Sequence, residues 1–219
     1  MVARLIPKSY RSVTGRFAST KNQAPVSFES TLEKDFYLLL EFDGQVESFE
    51  EQPLTLTYLS AEGQTRRYTP DVLIRYRSDP SGQPLLPPTL CEVKYRRDLR
   101  DHWTEYKPKF RAAGRYVKQQ GWCFRLVTER EIRTPRLNAI RFLRRYRYLR
   151  VEAGDIGQLL TALHRQPETT PEALLAAMGV DRGQQTYLIT TLWHLVATER
   201  IGIDFSQPLT MQSRLWLII

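Results

Sequence analysis

Between residues 30 and 42, apolar side chains recur at Leu32, Phe36, Leu39 and Leu40, the spacing of one face of an amphipathic helix. The period then changes. Residues 45–49 and 54–58 alternate apolar with polar, as half-buried strands do. A turn at Glu62-Gly63 leads into a strand over residues 68–76, with Val72, Leu73 and Ile74 as its buried run, and this predicts a hairpin. Residues 78–88 hold Pro80, Gly82, Pro84, Pro87 and Pro88 and read as a loop. Residues 90–95 are a further short strand. A helical stretch follows over residues 98–120, broken or kinked at Pro108, because an interior proline removes a hydrogen bond and clashes with the preceding turn. Gly121 supplies its stop. Residues 122–127 are the next strand, and a helix of that length lets it run parallel to the strand at 90–95. The order predicts an α/β fold, a mixed sheet flanked by helices.

Arginine dominates what comes next: positions 130, 133, 136, 141, 144, 145, 147 and 150, with an apolar helical stripe of Leu137, Ile140, Leu143 and Tyr146 among them. Thr128-x-x-Glu131 opens this stretch as a capping box. Residues 156–164 form one further helix. Thr170-Pro171 caps a second, which ends at Met178-Gly179, and Asp181 caps a third that reaches residue 198. Residues 200–205 and 211–217 then pair as a two-stranded wing. Three helices and a wing predict a small winged-helix unit over residues 151–219. The chain thus divides into a basic arm at 1–27, a central domain at 28–150 and this C-terminal unit.

Composition narrows the class. With 42% hydrophobic and 26% charged residues, the chain has the make-up of a soluble globular protein. No apolar run approaches the ~18 residues of a membrane span, and no secretory signal opens the sequence, so a cytoplasmic setting is expected. Cys91 and Cys123 both fall in predicted core strands with no thiol or histidine at ligand spacing, and read as buried free thiols. His102, His164 and His194 lie on predicted helices and are structural by the same spacing test.

Charge changes the picture more. Residues 1–150 carry 28 Lys plus Arg against 17 Asp plus Glu, and residues 151–219 carry four Arg against seven acids, so +11 faces −3. A basic first part suits a phosphate backbone, whose binding is driven by charge and counterion release. The acidic remainder suits a protein partner better. The arm holds Arg4, Lys8, Arg11, Arg16 and Lys21 with no acid. It is either ordered on DNA or a partner, or a floppy terminus without a role. The arginines of 130–150 are either a solvated face or contacts to DNA phosphates, and so dense a run with no acid after Glu131 favours the second.

Three stretches carry candidate chemistry: Glu33 in Ser30-Thr31-Leu32-Glu33, Asp71 after Pro70, and Glu92-Val93-Lys94. In a strand, Glu92 and Lys94 project to one face and Cys91 and Val93 to the other. Pro70 fits the start of the Asp71 strand, since strand proline is confined to ends and edges. Adjacent strands would bring Asp71 and Glu92 onto one cation. Magnesium takes carboxylate and carbonyl oxygens and keeps several waters. It lowers the pKa of a bound water and neutralises charge on a phosphate oxygen, and a lysine beside it orients the attacking water. Glu33 has a competing role, because Ser30-x-x-Glu33 is also a capping box. Neither a Ser/His/Asp set nor a glycine-rich phosphate loop is present, which leaves protease and nucleotide-hydrolase readings without an anchor.

The set Glu33, Pro70-Asp71, Glu92-Val93-Lys94 resembles the PD-(D/E)xK nuclease superfamily, and more closely the TnsA endonuclease subunit of heteromeric Tns-type transposases. The likeness runs through Leu32-Glu33-Lys34-Asp35-Phe36, Glu51-Gln52-Pro53, Thr69-Pro70-Asp71-Val72-Leu73, Glu92-Val93-Lys94 and Trp122-Cys123-Phe124-Arg125-Leu126-Val127-Thr128. TnsA proteins often carry glutamine where this chain has Glu92, a departure toward the superfamily pattern. The resemblance implies a restriction-endonuclease-like fold and a DNA endonuclease that cuts the 5′ ends of a transposon. Its catalytic residues would be Glu33, Asp71, Glu92 and Lys94. One or two Mg²⁺, replaceable by Mn²⁺, would sit on Glu33, Asp71, Glu92 and the Val93 carbonyl. Arg96, Arg97, Arg141, Arg144, Arg145 and Arg147 are the expected DNA contacts. The implied partners are double-stranded DNA at transposon ends, a DDE transposase (TnsB-like) that cuts the 3′ ends, and an AAA+ ATPase regulator (TnsC-like) that the C-terminal region engages. Two rivals share the residues: a stand-alone restriction or repair nuclease, and a nuclease-fold scaffold without activity.

Overall fold

A computed structural model describes residues 13–218. The chain forms two compact units, Met1–Ile132 and Arg133–Ile219.

The first unit opens with β1 (Gly15–Phe17) and β2 (Val26–Phe28), an antiparallel pair, followed by α1 (Thr31–Phe42) and β3 (Val46–Glu51). A hairpin of β4 (Leu56–Leu59) and β5 (Thr65–Tyr68) precedes β6 (Val72–Tyr76) and β7 (Thr89–Val93). Then come α2 (Arg96–Asp101), α3 (Trp103–Gln120), β8 (Cys123–Val127) and the single turn α4 (Glu129–Ile132). The main sheet has the order β3-β6-β7-β8, with β7 and β8 parallel and the other pairs antiparallel. Helices α2 and α3 supply the crossover that a parallel pair requires. Every residue of β7 is buried, as expected of a strand with neighbours on both sides. Leu73 and Leu90 pack on Val117 of α3, and Tyr68 packs on Phe110 and Ala113.

Several sequence expectations change. The strand expected over 68–76 is two strands in different sheets, β5 and β6, because Thr69-Pro70-Asp71 interrupts it and Pro70 has no N–H to give a ladder. Pro108 does not break its helix. The division falls at His102, and Pro108 sits in the second turn of α3, where the lost bond lies near a helix end.

The described part of the arm packs against α1 and β3. Phe17 and Val26 are buried, and the Phe17 ring lies 6.2 Å from Tyr37 and 6.4 Å from Phe49. Glu41, only 2% exposed, accepts hydrogen bonds from Ser19 Oγ at 2.6 Å and the Thr20 N–H at 3.0 Å. These contacts explain why α1 is buried well beyond one stripe. Arg4, Lys8 and Arg11 lie outside the described residues. Cys91 is buried and Cys123 is exposed, since Cys123 starts β8 at the sheet's edge. Among the described residues, no helix is long and apolar enough to cross a membrane.

The second unit holds α5 (Pro135–Leu143), α6 (Ala153–Arg165), β9 (Glu168–Thr169), α7 (Pro171–Ala177), α8 (Arg182–Ala197), β10 (Ile201–Ile203) and β11 (Leu215–Leu217). Its antiparallel sheet has the order β10-β11-β9. Thr170 and Asp181 cap α7 and α8 through side-chain oxygens that accept the Ala173 and Gln184 N–H groups.

The boundary expected at 150/151 lies instead at 132/133, and its cause is packing. Leu137, Ile140 and Leu143 are buried in α5, and Phe142 meets Trp193 of α8 edge to face at 5.5 Å. His194 Nδ1 stands 2.9 Å from the Tyr146 carbonyl. The arginine helix therefore belongs with α8, and the charge split moves with it. Met1–Ile132 carries 21 Lys plus Arg against 17 acids, and Arg133–Ile219 carries 11 Arg against seven acids, so each unit is +4.

Gly202 is paired with Trp216, and a Cβ there would fall 2.2 Å from the indole nitrogen. Gly202→Ala should therefore destabilise the second unit by about 1–3 kcal/mol, the range for overpacking. Denaturant unfolding of the full chain measures this, and an unchanged midpoint would mean that Trp216 yields freely.

Candidate active site

The register of β6 against β7 pairs Val72 with Cys91, so the next residue outward on β6, Asp71, faces Glu92. Backbone contacts hold it there. The Val93 N–H donates to Asp71 Oδ2 at 2.7 Å, and the Gln52 N–H donates to the Asp71 carbonyl at 2.9 Å. Gln52 reaches that bond with φ 46°, a left-handed conformation uncommon outside glycine, Asn and Asp. Strain of this kind collects at functional sites.

Lys94 stands among the acids as the strand period requires. Its Nζ lies 3.3 Å from Glu92 Oε1, 3.6 Å from Asp71 Oδ2 and 3.3 Å from the Val93 carbonyl. Glu92 is 2% exposed and the Asp71 side chain 19%. Burial, and then the charge of Glu92, pushes the Asp71 carboxyl up to about 7, against the pull of Lys94. Burial works to lower the Lys94 pKa, but Asp71 and Glu92 outweigh it and leave it raised, so the ammonium stays charged.

Glu33 realises its capping role. Ser30 Oγ accepts the Glu33 N–H at 3.1 Å, while the Glu33 carboxylate accepts Ser30 Oγ–H and the Glu29 N–H, both at 2.8 Å. Burial raises its pKa, and those hydrogen bonds pull it back. The same side chain also borders the cleft of Asp71, a space of 1210 Å³ whose lining includes Tyr68, Tyr106 and Lys109. Glu33, Asp71, Glu92, Val93 and Lys94 are thus brought to one region of the first unit.

Two groups in this site escape the motif. Tyr68 Oη–H donates to Glu92 Oε2 at 2.7 Å, and Lys109 Nζ donates to Glu92 Oε1 at 3.0 Å. Burial, then the Glu92 charge, drives the Tyr68 phenol well above its usual range and keeps it a donor. Lys109 left one trace in the sequence: it edges the α3 stripe of Tyr106, Phe110, Ala113 and Val117, where a lysine is out of place. Tyr68 left none.

The expected DNA contacts separate. Arg96 and Arg97 are exposed at the start of α2, just beyond Lys94, and Arg97 also pairs with Asp101 at 3.5 Å. Arg141, Arg144 and Arg145 are exposed in the second unit, with Arg145 lying over the Phe142 ring at 5.0 Å. Arg147 is half-buried and donates to the Ala197 carbonyl at the end of α8 at 3.2 Å, so it also has a packing role.

Among the described residues, no group of three or more His, Cys, Asp or Glu side chains stands together as a ready metal site. The donors that do converge are the buried Glu92 carboxylate, the half-buried Asp71 carboxylate and a carbonyl, all hard oxygens. Magnesium asks for one or two carboxylates and otherwise keeps water, so this donor set fits it.

A mixed sheet flanked by helices, with this acid–lysine cluster at the end of two central strands, fits a nuclease-like fold. Residues 43–129 match the family described as TnsA-like endonuclease N terminal, and the chain carries a TnsA-like nuclease domain. The matched span runs from β3 through β8 and includes Asp71, Glu92, Val93 and Lys94, while Glu33 lies upstream of it. No curated protein matches the sequence.

The raised Asp71 pKa fixes a direction. The folded chain keeps a proton that the unfolded chain loses near pH 4, so folding stability falls as pH rises from about 4 to about 7. Without divalent cations, Asp71→Asn should melt close to wild type at pH 4.5 and roughly 2–6 °C above it at pH 8. Thermal denaturation in EDTA checks this, and a variant that loses ground as pH rises would show that ionised Asp71 is stabilising.

Proposed function

We propose that the chain is a Mg²⁺-dependent endodeoxyribonuclease, the subunit of a heteromeric transposase that cuts the 5′ ends of the transposon during cut-and-paste transposition. One observation carries this reading: the Lys94 ammonium lies between the carboxylates of half-buried Asp71 and buried Glu92, inside the span that matches TnsA-like endonucleases. Asp71, Glu92 and the Val93 carbonyl would hold the ion, with Glu33 completing the site once released from its cap. Bound Mg²⁺ would supply Lewis-acid charge that acidifies water and offsets charge on the scissile phosphate. Mn²⁺ meets the same oxygen donors.

The chain's own groups do the rest. Lys94 orients the attacking water and stabilises negative charge gathering on the phosphate, which a permanently charged ammonium does at no cost in proton transfer. The Val93 N–H fixes the Asp71 carboxylate, and Tyr68 fixes that of Glu92. Hydrolysis leaves a 5′-phosphate and a 3′-hydroxyl. Arg96 and Arg97 are placed to meet the backbone beside the cut strand.

In the second unit, the order helix–strand–helix–helix–strand–strand supports a winged-helix reading for α6 through β11. Its seven acids against four arginines over residues 151–219 favour docking on an AAA+ ATPase regulator of the TnsC kind. Arg141, Arg144 and Arg145 on and beyond α5 are the surface for DNA phosphates. A TnsB-like DDE transposase would cut the 3′ ends.

Replacing Arg144 and Arg145 together by Ala should weaken binding to any DNA sequence alike and reduce the salt slope of log K by ~1–2. A fluorescence titration across salt concentrations reads both, and an unchanged slope would assign these arginines to solvent.

Lys94→Ala should slow cleavage ~10²–10⁴-fold, the range for a positioned charge-stabilising group, while Mg²⁺ still binds. In a reconstituted transposition reaction the partner would still cut and join 3′ ends, so simple insertions should give way to fused donor–target products. Sequencing both junctions shows which forms. Normal simple insertions from the variant would remove both the Lys94 role and the 5′-end assignment.

A further inference from the structure

Glu92 has more cationic partners than its single charge requires. Lys109 Nζ at 3.0 Å and Lys94 Nζ at 3.3 Å both reach Oε1, while Tyr68 Oη–H donates to Oε2. The two lysines are held differently. Lys109 projects from α3, its side chain 15% exposed, and its ammonium lies 4.3 Å from the Tyr106 ring centroid, 4.9 Å from that of Tyr68 and 5.1 Å from that of Phe110. Three rings around an ammonium form a cation–π cage, and a caged lysine has little room to move. Lys94 instead rests on the oxygens of Asp71, Glu92 and Val93, the same atoms that fit a divalent cation. It has to leave them when they take one.

The geometry points to Lys109 as a positioning residue of the nuclease site: the fixed counter-ion that keeps Glu92 paired and oriented, so that Lys94 can move to the water or phosphate. A buried carboxylate stripped of its partner is strongly destabilising. Without Lys109 that duty falls to Lys94 alone, which ties the catalytic lysine to Glu92. The inference rests on the nuclease reading above, yet part of its test needs no metal.

In EDTA, Lys109→Met in the full chain should lower the melting temperature, and adding Glu92→Gln should recover most of the loss. Independent, additive effects would deny the pairing. Should Lys109→Met alone fail to fold while the double variant folds, the counter-ion role is supported. If both fail, Lys109 is a packing residue and the inference falls. With Mg²⁺ alone, calorimetry should find Lys109→Met binding ~3–10-fold more weakly, since Lys94, now the sole cationic partner of Glu92, competes with the ion, and adding Lys94→Met should return the affinity to the wild-type level or above. Cleavage of duplex DNA by Lys109→Met alone should be at least ~10-fold slower in kcat with KM little changed. Metal affinity that falls with Lys109 and returns when Lys94 is removed as well is a signature that loss of a merely structural residue does not give. A loss of metal affinity that Lys94→Met does not reverse, or cleavage that is unchanged, overturns the proposal. A wild-type chain that neither binds Mg²⁺ nor cuts DNA would remove the nuclease reading instead, and the metal-free cycle would then decide Lys109 on its own.

Discussion

Two like charges are forced together at the heart of the first unit, and backbone geometry forces them. The β6–β7 register puts Asp71 across from Glu92, and the Val93 and Gln52 amides pin the aspartate where it is. Carboxylates so placed repel each other and are deprived of water, so the fold must supply positive charge. It does so from two directions: Lys94, two residues along the same strand as Glu92, and Lys109, across from α3. Much of the first unit serves this arrangement. The parallel β7–β8 pair buries β7 on both edges, α3 is the crossover that delivers Lys109, and the β4–β5 hairpin ends in Tyr68, whose phenol closes the second oxygen of Glu92.

The acid–lysine cluster was legible because it obeys the two-residue period of a strand. Glu92 and Lys94 share a face for that reason alone, and Pro70 marks where Asp71's strand begins. The capping box at Ser30 and Glu33 was legible for an equally local reason, a fixed offset of three residues. Lys109 and Tyr68 were not, since they reach Glu92 across 17 and 24 positions and no periodicity links a helix to the strand it will cover. The split of residues 68–76 into β5 and β6 was half legible. Pro70 announced an end, but which sheet each half joins depends on pairing partners far along the chain.

The unit boundary shows the same limit. In the sequence the arginine-rich stretch reads as the basic end of the first domain, and the helix-and-wing pattern with its acidic balance draws the line after Arg150. Packing draws it before Arg133, because Leu137, Ile140 and Phe142 face α8. The arginines from Arg133 to Arg150 therefore lie on and around α5 in the second unit, ahead of the stretch that holds all seven of its acids. Arg141, Arg144, Arg145 and Arg147, expected as DNA contacts, thus fall in the same unit as the acidic stretch expected to meet a protein, where the sequence assigns the two to different domains. The described part of the N-terminal segment is packed on the first unit through Phe17 and the contacts of Ser19 and Thr20 with Glu41.

A divalent cation on Asp71, Glu92 and the Val93 carbonyl would have to displace Lys94 from those oxygens. Anomalous scattering from crystals of the full chain soaked in Mn²⁺ tests it most directly. The expected result is a peak within ligand distance of Asp71, Glu92 and the Val93 carbonyl, with Lys94 Nζ withdrawn from Glu92 and Lys109 still in its aromatic cage. A site empty of manganese with Lys94 still bridging the two carboxylates, or manganese bound only elsewhere, would contradict it.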